Sequence, residues 1–140
     1  MLRAAQGRPT EAQSLFERAL VIRERVLGPE HPETAQSLNN LACLLRDIGH
    51  SAEAESLFRR AIAIGDDVAT RLSNLACLLR DSGRLAEALT LAEAALAAYE
   101  KAFGPSHPRN MDSARIAADA LAALGRSAEA AVMRARYGLG

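Results

Sequence analysis

The side chains that could do chemistry in this 140-residue chain are few and widely spaced. Three histidines, His31, His50 and His107, fall in three separate turn-like stretches, and two of them stand directly before a proline. The cysteines Cys43 and Cys77 lie 34 residues apart, at matching points of one eight-residue string, "NLACLLRD", that occurs twice. A zinc hydrolase needs two histidines on one helix face, a structural zinc needs paired cysteines, and a nucleotide site needs a glycine-rich loop around phosphate. The sequence holds no HExxH, no paired CxxC and no such loop. A histidine before proline in a turn is expected to start a helix, not to act as a base. His50 fills a turn position that Arg holds in the other units. No catalytic residue, no metal ligand and no cofactor is expected, and the chain reads as a non-enzyme.

The repeated string sits in a longer match: "SLNNLACLLRDIGHSAEAESLFRRAIAI" overlays "RLSNLACLLRDSGRLAEALTLAEAALAA" without a gap. Gly7, Gly49, Gly83 and Gly125 each precede a polar residue and an Ala-Glu-Ala-like helix start, at separations of 42, 34 and 42 residues. The eight extra residues of the longer units fall in "VLGPEHPETA" and "AFGPSHPRNM", where the short unit has "AIGDDVATRL". Gly stops one helix there, and His-Pro opens the next. Eight residues shared between two helix ends would lengthen the pair by about two turns.

Periodicity assigns the faces. Leu38, Leu41, Ala42 and Leu45 recur at helical spacing, and Leu72, Leu75, Ala76 and Leu79 repeat them. Ala54, Leu57, Phe58 and Ala61 form the stripe of the next helix, matched by Ala88, Leu91, Ala92 and Ala95 and by Ala12, Leu15, Phe16 and Ala19. Helices are expected over about 10–27, 32–48, 51–64, 66–82, 85–103, 108–124 and 127–137, with a stub at 1–6.

Composition agrees. Hydrophobic residues make up 49% and aromatics only 4%, with no Trp, so Leu and Ala must fill the core, and both favour helix. The class is all-α. Seventeen basic and seventeen acidic residues cancel, which argues against nucleic-acid and membrane partners. No run reaches the ~20 apolar residues of a membrane span, and "MLRAAQGRPTEAQ" lacks a signal-peptide core, so the expected location is cytoplasmic. Neighbouring repeats stack about 10 Å apart, too far for a Cys43–Cys77 disulfide.

A 34-residue helix-turn-helix unit with Leu-Ala in its first helix, Gly at the turn and spaced Ala, Phe and Ala in its second resembles the tetratricopeptide repeat. The longer units, with "LGPEHPETAQSLNNLA", resemble the 42-residue variant of kinesin light chains. Leu38 and Leu45 replace the Trp and Tyr of the general repeat, and Arg134 stands where Phe16 and Phe58 stand, which weakens the last unit as a packed repeat. Ankyrin repeats have a similar length, but their Thr-Pro-Leu-His signature is missing. The resemblance implies an α-solenoid superhelix of three to four repeats: one domain over 1–140, with a partial repeat at 1–31 and repeats at about 32–65, 66–107 and 108–140.

With the leucines inward, Gln36, Asn40, Cys43 and Asp47 point the other way, flanked by Asn39 and Arg46. The next unit offers Thr70, Asn74, Cys77 and Asp81, flanked by Ser73 and Arg80. In the resembling families such inner faces form a concave groove that holds an extended peptide, and the Asn of "LNNLA" contacts its backbone. Asn suits this because its amide donates and accepts at once. Arg46 and Arg80 would select an acidic group. The expected function is a protein-interaction scaffold. The alternative is a self-associating structural or regulatory module, or a piece of a larger protein. The chain begins inside a unit and closes at "RYGLG" without a capping helix, so a homodimer through the N-terminal open edge, packed about a two-fold axis, is the expected cover for Leu15, Phe16 and Ala19.

Overall fold

Glycines at the turns set where the helices of the computed structural model end. Gly49, Gly83 and Gly125 have φ of 89°, 82° and 82°, the left-handed region that a side chain disfavours. Each follows a helix whose last carbonyls bend back in the same way. The Gly49 N–H donates to the Arg46 carbonyl and the His50 N–H to that of Leu45, 3.1 and 2.7 Å, and the pattern recurs at Gly83–Arg84 and Gly125–Arg126. This is the two-bond Schellman closure, and it explains why one turn sequence recurs.

The structure describes residues 8–65 and 67–139. Its helices are α1 (Arg8–Leu27), α2 (Pro32–Asp47), α3 (Ser51–Ile64), α4 (Val68–Asp81), α5 (Leu85–Phe103), α6 (Arg109–Ala123) and α7 (Ser127–Arg136). Each lies within two residues of its expected bounds; the stub at 1–6 and Gly7 fall outside the described residues. The extra residues of the long unit go mainly into one helix: α5 has 19 residues against 14 in α3, whereas α6 has 15 against 14 in α4. Close to two turns are added, as expected, and the crossing takes up the remainder.

The long crossings share one locking scheme. The Thr34 hydroxyl donates to the Gly28 carbonyl at 2.7 Å, and at the matching position the Asn110 amide donates to Gly104 and Pro105, 3.1 and 3.0 Å. Nδ1 of His31 accepts the Glu33 N–H at 3.1 Å, and Nδ1 of His107 accepts the Arg109 N–H at 3.2 Å. Both histidines start helices, as their place before proline suggests. The remaining one, His50, precedes α3 with Nδ1 3.7 Å from Glu53. Arg84 and Arg126 take the same place and pair with Glu87 and Glu129 at 2.8 and 2.6 Å, so all three serve the same helix start.

The chain divides into two compact units, residues 1–66 and 67–140. In the first, α1 packs on α2 and α2 on α3. Its core is Leu38, Leu41, Ala42 and Leu45 from α2 with Ala54, Phe58 and Ala61 from α3, all buried. Arg23 of α1 reaches the Ser37 hydroxyl at 2.8 Å, and Glu24 pairs with Arg60 at 2.7 Å. In the second unit α4 packs on α5, α5 on α6, α6 on α7, and α4 also on α6. Here Ala76, Leu89, Ala92, Ile116, Ala117, Ala120, Leu121 and Ala130 make the core. Leu57, Leu72 and Leu91 are half-buried at the edges of their stripes.

Candidate functional site

Burying the leucines of α2 fixes what its other face can offer. Gln36 is exposed there and donates to the Asn40 side-chain oxygen at 2.9 Å, one turn along. Cys43 is half-buried, Arg46 meets Asp47 at 3.4 Å, and Asp47 is exposed. Asn39 turns inward and is buried.

The matching face of α4 is tied to α5 and α6. Thr70 accepts from the Tyr99 hydroxyl and donates to Asp67, each at 3.1 Å. Ser73 is buried and accepts from Ser113 of α6 at 3.1 Å. Asn74 is half-buried, Asp81 is exposed, and Cys77 accepts from Arg80 at 3.4 Å. Arg80 pairs with Asp81 and with Asp119 of α6, both at 3.1 Å. Partial burial works to lower the Arg80 pKa, but Cys77, Asp81 and Asp119 outweigh it and hold the guanidinium above its ordinary value. Two strings of identical sequence thus carry differently loaded arginines.

Asp119 is the residue the sequence reading missed. In the repeat it occupies the place of Cys43 and Cys77, and its second oxygen takes Arg134 of α7 at 2.9 Å. Arg134 stands where α1 and α3 have Phe16 and Phe58 and α5 has Ala92, so a cross-helix ion pair occupies the place at which Phe58 is fully buried in the first unit. Overlaying the last unit at its offset of 42 would have shown both changes arising together. Arg71 was missed too. It is 1% exposed, at the place of Ser37 and Ser113; its side chain has a partner, but its buried Nε has no hydrogen bond.

Two further surfaces stand out. Leu15, Ile22 and Val26 of α1 are 60%, 58% and 74% exposed. In the second unit a hollow of about 350 Å³ is lined by Leu121, Ala128, Val132 and Met133, with Glu93, Glu129 and Arg136 beside them. Among the described residues no group of three His, Cys, Asp or Glu gathers as metal ligands would, and no helix is long and apolar enough to cross a membrane.

Two tetratricopeptide-repeat models match the chain, one over residues 1–66 and the other over 68–109. The chain belongs to the tetratricopeptide repeat family, with repeats of the kinesin-light-chain kind, and its fold is the all-α repeat solenoid of that family. Among solved structures it is similar to the nearly identical TPR-like repeats assigned to a kinesin light chain of Podosopora anserina. Identity there is 26% and the TM-score 0.77, over 96% of this chain and 68% of that one. A single-substitution variant of the same protein gives 26% and 0.79 over the same shares. BtubC (BKLC) from P. vanneervenii shares the fold at 22% identity, TM-score 0.85, over 94% of this chain and 56% of that one. No curated protein matches the chain in sequence. Tetratricopeptide repeats are in general protein–protein interaction modules and typically non-catalytic.

Proposed function

We propose that the chain is a non-catalytic, cytoplasmic binding module that holds extended segments of a partner protein on polar helix faces, that of α2 in the first unit and that of α4 in the second. One observation carries this reading. Packing requires only the Leu, Ala and, through Cys77, Cys positions of "NLACLLRD", yet both copies also keep the same Asn, Arg and Asp, none of them buried. Asn40 and Asn74 grip the partner's backbone, with Gln36, Cys43 and Asp47 beside the first and Cys77 and Asp81 beside the second. Arg46 and Arg80 contact an acidic group; Asn39, Thr70 and Ser73 support the face from beneath. The test is capture from a random peptide display library by wild type and by the Asn40→Ala, Asn74→Ala double variant. Capture should fall while the unfolding free energy moves by about 1 kcal/mol or less. Undiminished capture would remove the asparagines from the site, and no capture by wild type would overturn the reading.

A second reading is favoured by the exposed aliphatic face of α1: another copy of the chain covers it. Light scattering over a concentration series tests this directly. Mass should rise with concentration, and a constant 14.9 kDa would exclude it.

A further inference from the structure

We propose that what covers α1 is the hollow between α5 and α7 of a second copy, so that copies associate head to tail and not about a two-fold axis. The proposal rests on the self-association reading and names the surface that receives α1. Leu15, Arg18, Ile22, Arg25 and Val26 fall within about 100° of one another on the α1 helical wheel, with Glu11 at the N-terminal end of the same strip. All six are exposed. At the matching positions α5 carries Ala94, Ala98 and Ala102 where α1 has Arg18, Ile22 and Val26. Leu91, Lys101 and Glu87 of α5 match Leu15, Arg25 and Glu11, so the outer strip of α1 is larger than its counterpart by Ile22 and Val26 and carries one more positive charge, Arg18.

The charges on this strip differ from those on the rest of the helix. Arg23 and Glu24 are spent on Glu33, Ser37 and Arg60 within the first unit, whereas no ion pair joins Arg18 or Arg25 to a described residue. Two copies of α1 laid against each other about Ile22 would crowd these arginines together, and like charges at an interface oppose it. The hollow suits them better. Its floor of Leu121, Ala128, Val132 and Met133 is aliphatic, and Val132 is 69% exposed. Among its charged groups Arg136 is turned to Glu100 at 3.6 Å and Glu129 is paired with Arg126, while Glu93 makes no ion pair to a described residue and only adds, after Glu129, to the field that raises the Arg126 pKa. Ile22 and Val26 fill the floor, and Arg18 and Arg25 bring positive charge to Glu93. The two contact surfaces differ, so the contact is heterologous and an open assembly keeps one α1 and one hollow free, at opposite ends, for further growth.

Two single variants at exposed positions test this without threatening the fold: Ile22→Glu on α1 and Val132→Glu in the hollow, each checked by circular dichroism. Light scattering should give 14.9 kDa for each alone, whereas wild type grows past a dimer. Mixed, they should form a heterodimer that goes no further, because Ile22→Glu keeps its hollow and Val132→Glu keeps its α1. A Val132→Glu chain that still self-associates while Ile22→Glu does not would overturn head-to-tail contact but leave the covering of α1 by a second copy standing. Two monomeric variants that fail to combine would overturn it as well. Monomeric wild type at every concentration would overturn both.

Discussion

Single residues hold the ends of these helices more than their middles. His31 and His107 each give a lone pair to a backbone N–H that has no partner inside its helix, and Thr34 and Asn110 tie the preceding glycine loop to the same helix start. His31→Ala should cost about 0.5–2 kcal/mol in urea unfolding, the usual loss of an N-terminal cap. Asp119→Ala should cost no more than about 1 kcal/mol, because its pairs with Arg80 and Arg134 are part-exposed and water screens them. The histidine roles were legible because they depend on neighbours two residues away. The Asp119 network was not, since its arginines lie 39 and 15 residues off and neither aspartate nor arginine belongs to the repeating apolar pattern. Arg71 was hidden for the same reason: its burial follows from what surrounds α4, and a charged residue in a helix gives no sign of that in its own sequence.

Whole helices were more legible, because a stripe at 3.6-residue spacing and a glycine stop are both local signals. Their buried faces give a sharp expectation. Leu41 and Leu75 are 4% and 0% exposed, so Leu41→Asp or Leu75→Asp buries an unpaired carboxylate. That penalty is several kcal/mol against a total of about 5–15. Either variant should lose most of its helical circular dichroism at ambient temperature; full helicity and an unchanged melt would refute the face assignment. The end helix α7 is anchored differently. Beside Arg134, it is held by the Tyr137 hydroxyl, which donates to Glu100 at 2.8 Å. Burial and the Glu100 carboxylate raise the Tyr137 pKa in the folded chain, despite the nearby Arg136. The fold thus favours the neutral phenol. Its contribution is complete below the ordinary tyrosine pKa of about 10 and is lost as pH climbs through the higher folded value. Thermal melts should fall more steeply over that range for wild type than for Tyr137→Phe, and identical slopes would show that the bond does not hold α7.

At the scale of the molecule, the repeat turns two requirements into one sequence. Leucine and alanine positions build the core, and the polar positions between them are left to present a surface. The family was readable from the spacing of four glycines and the 34- and 42-residue periods, because a solenoid writes its architecture locally. Surfaces were less readable. Which polar residues stay available depends on contacts with other helices: Ser73 and Thr70 are taken up by Ser113 and Tyr99, 40 and 29 residues away, and such bonds leave no mark in the local pattern. The exposed strip of α1 is likewise a property of what does not pack on it. The central claim is that the polar faces of α2 and α4 hold a partner's backbone. The most direct measurement is a titration of isotope-labelled chain with a peptide captured from the display library, followed by NMR of the backbone and side-chain amides. Asn40 and Asn74 NH₂ resonances should shift on titration, while the backbone amides of the α5–α7 hollow stay in place. Shifts confined to that hollow or to α1, with both asparagines unmoved, would contradict it.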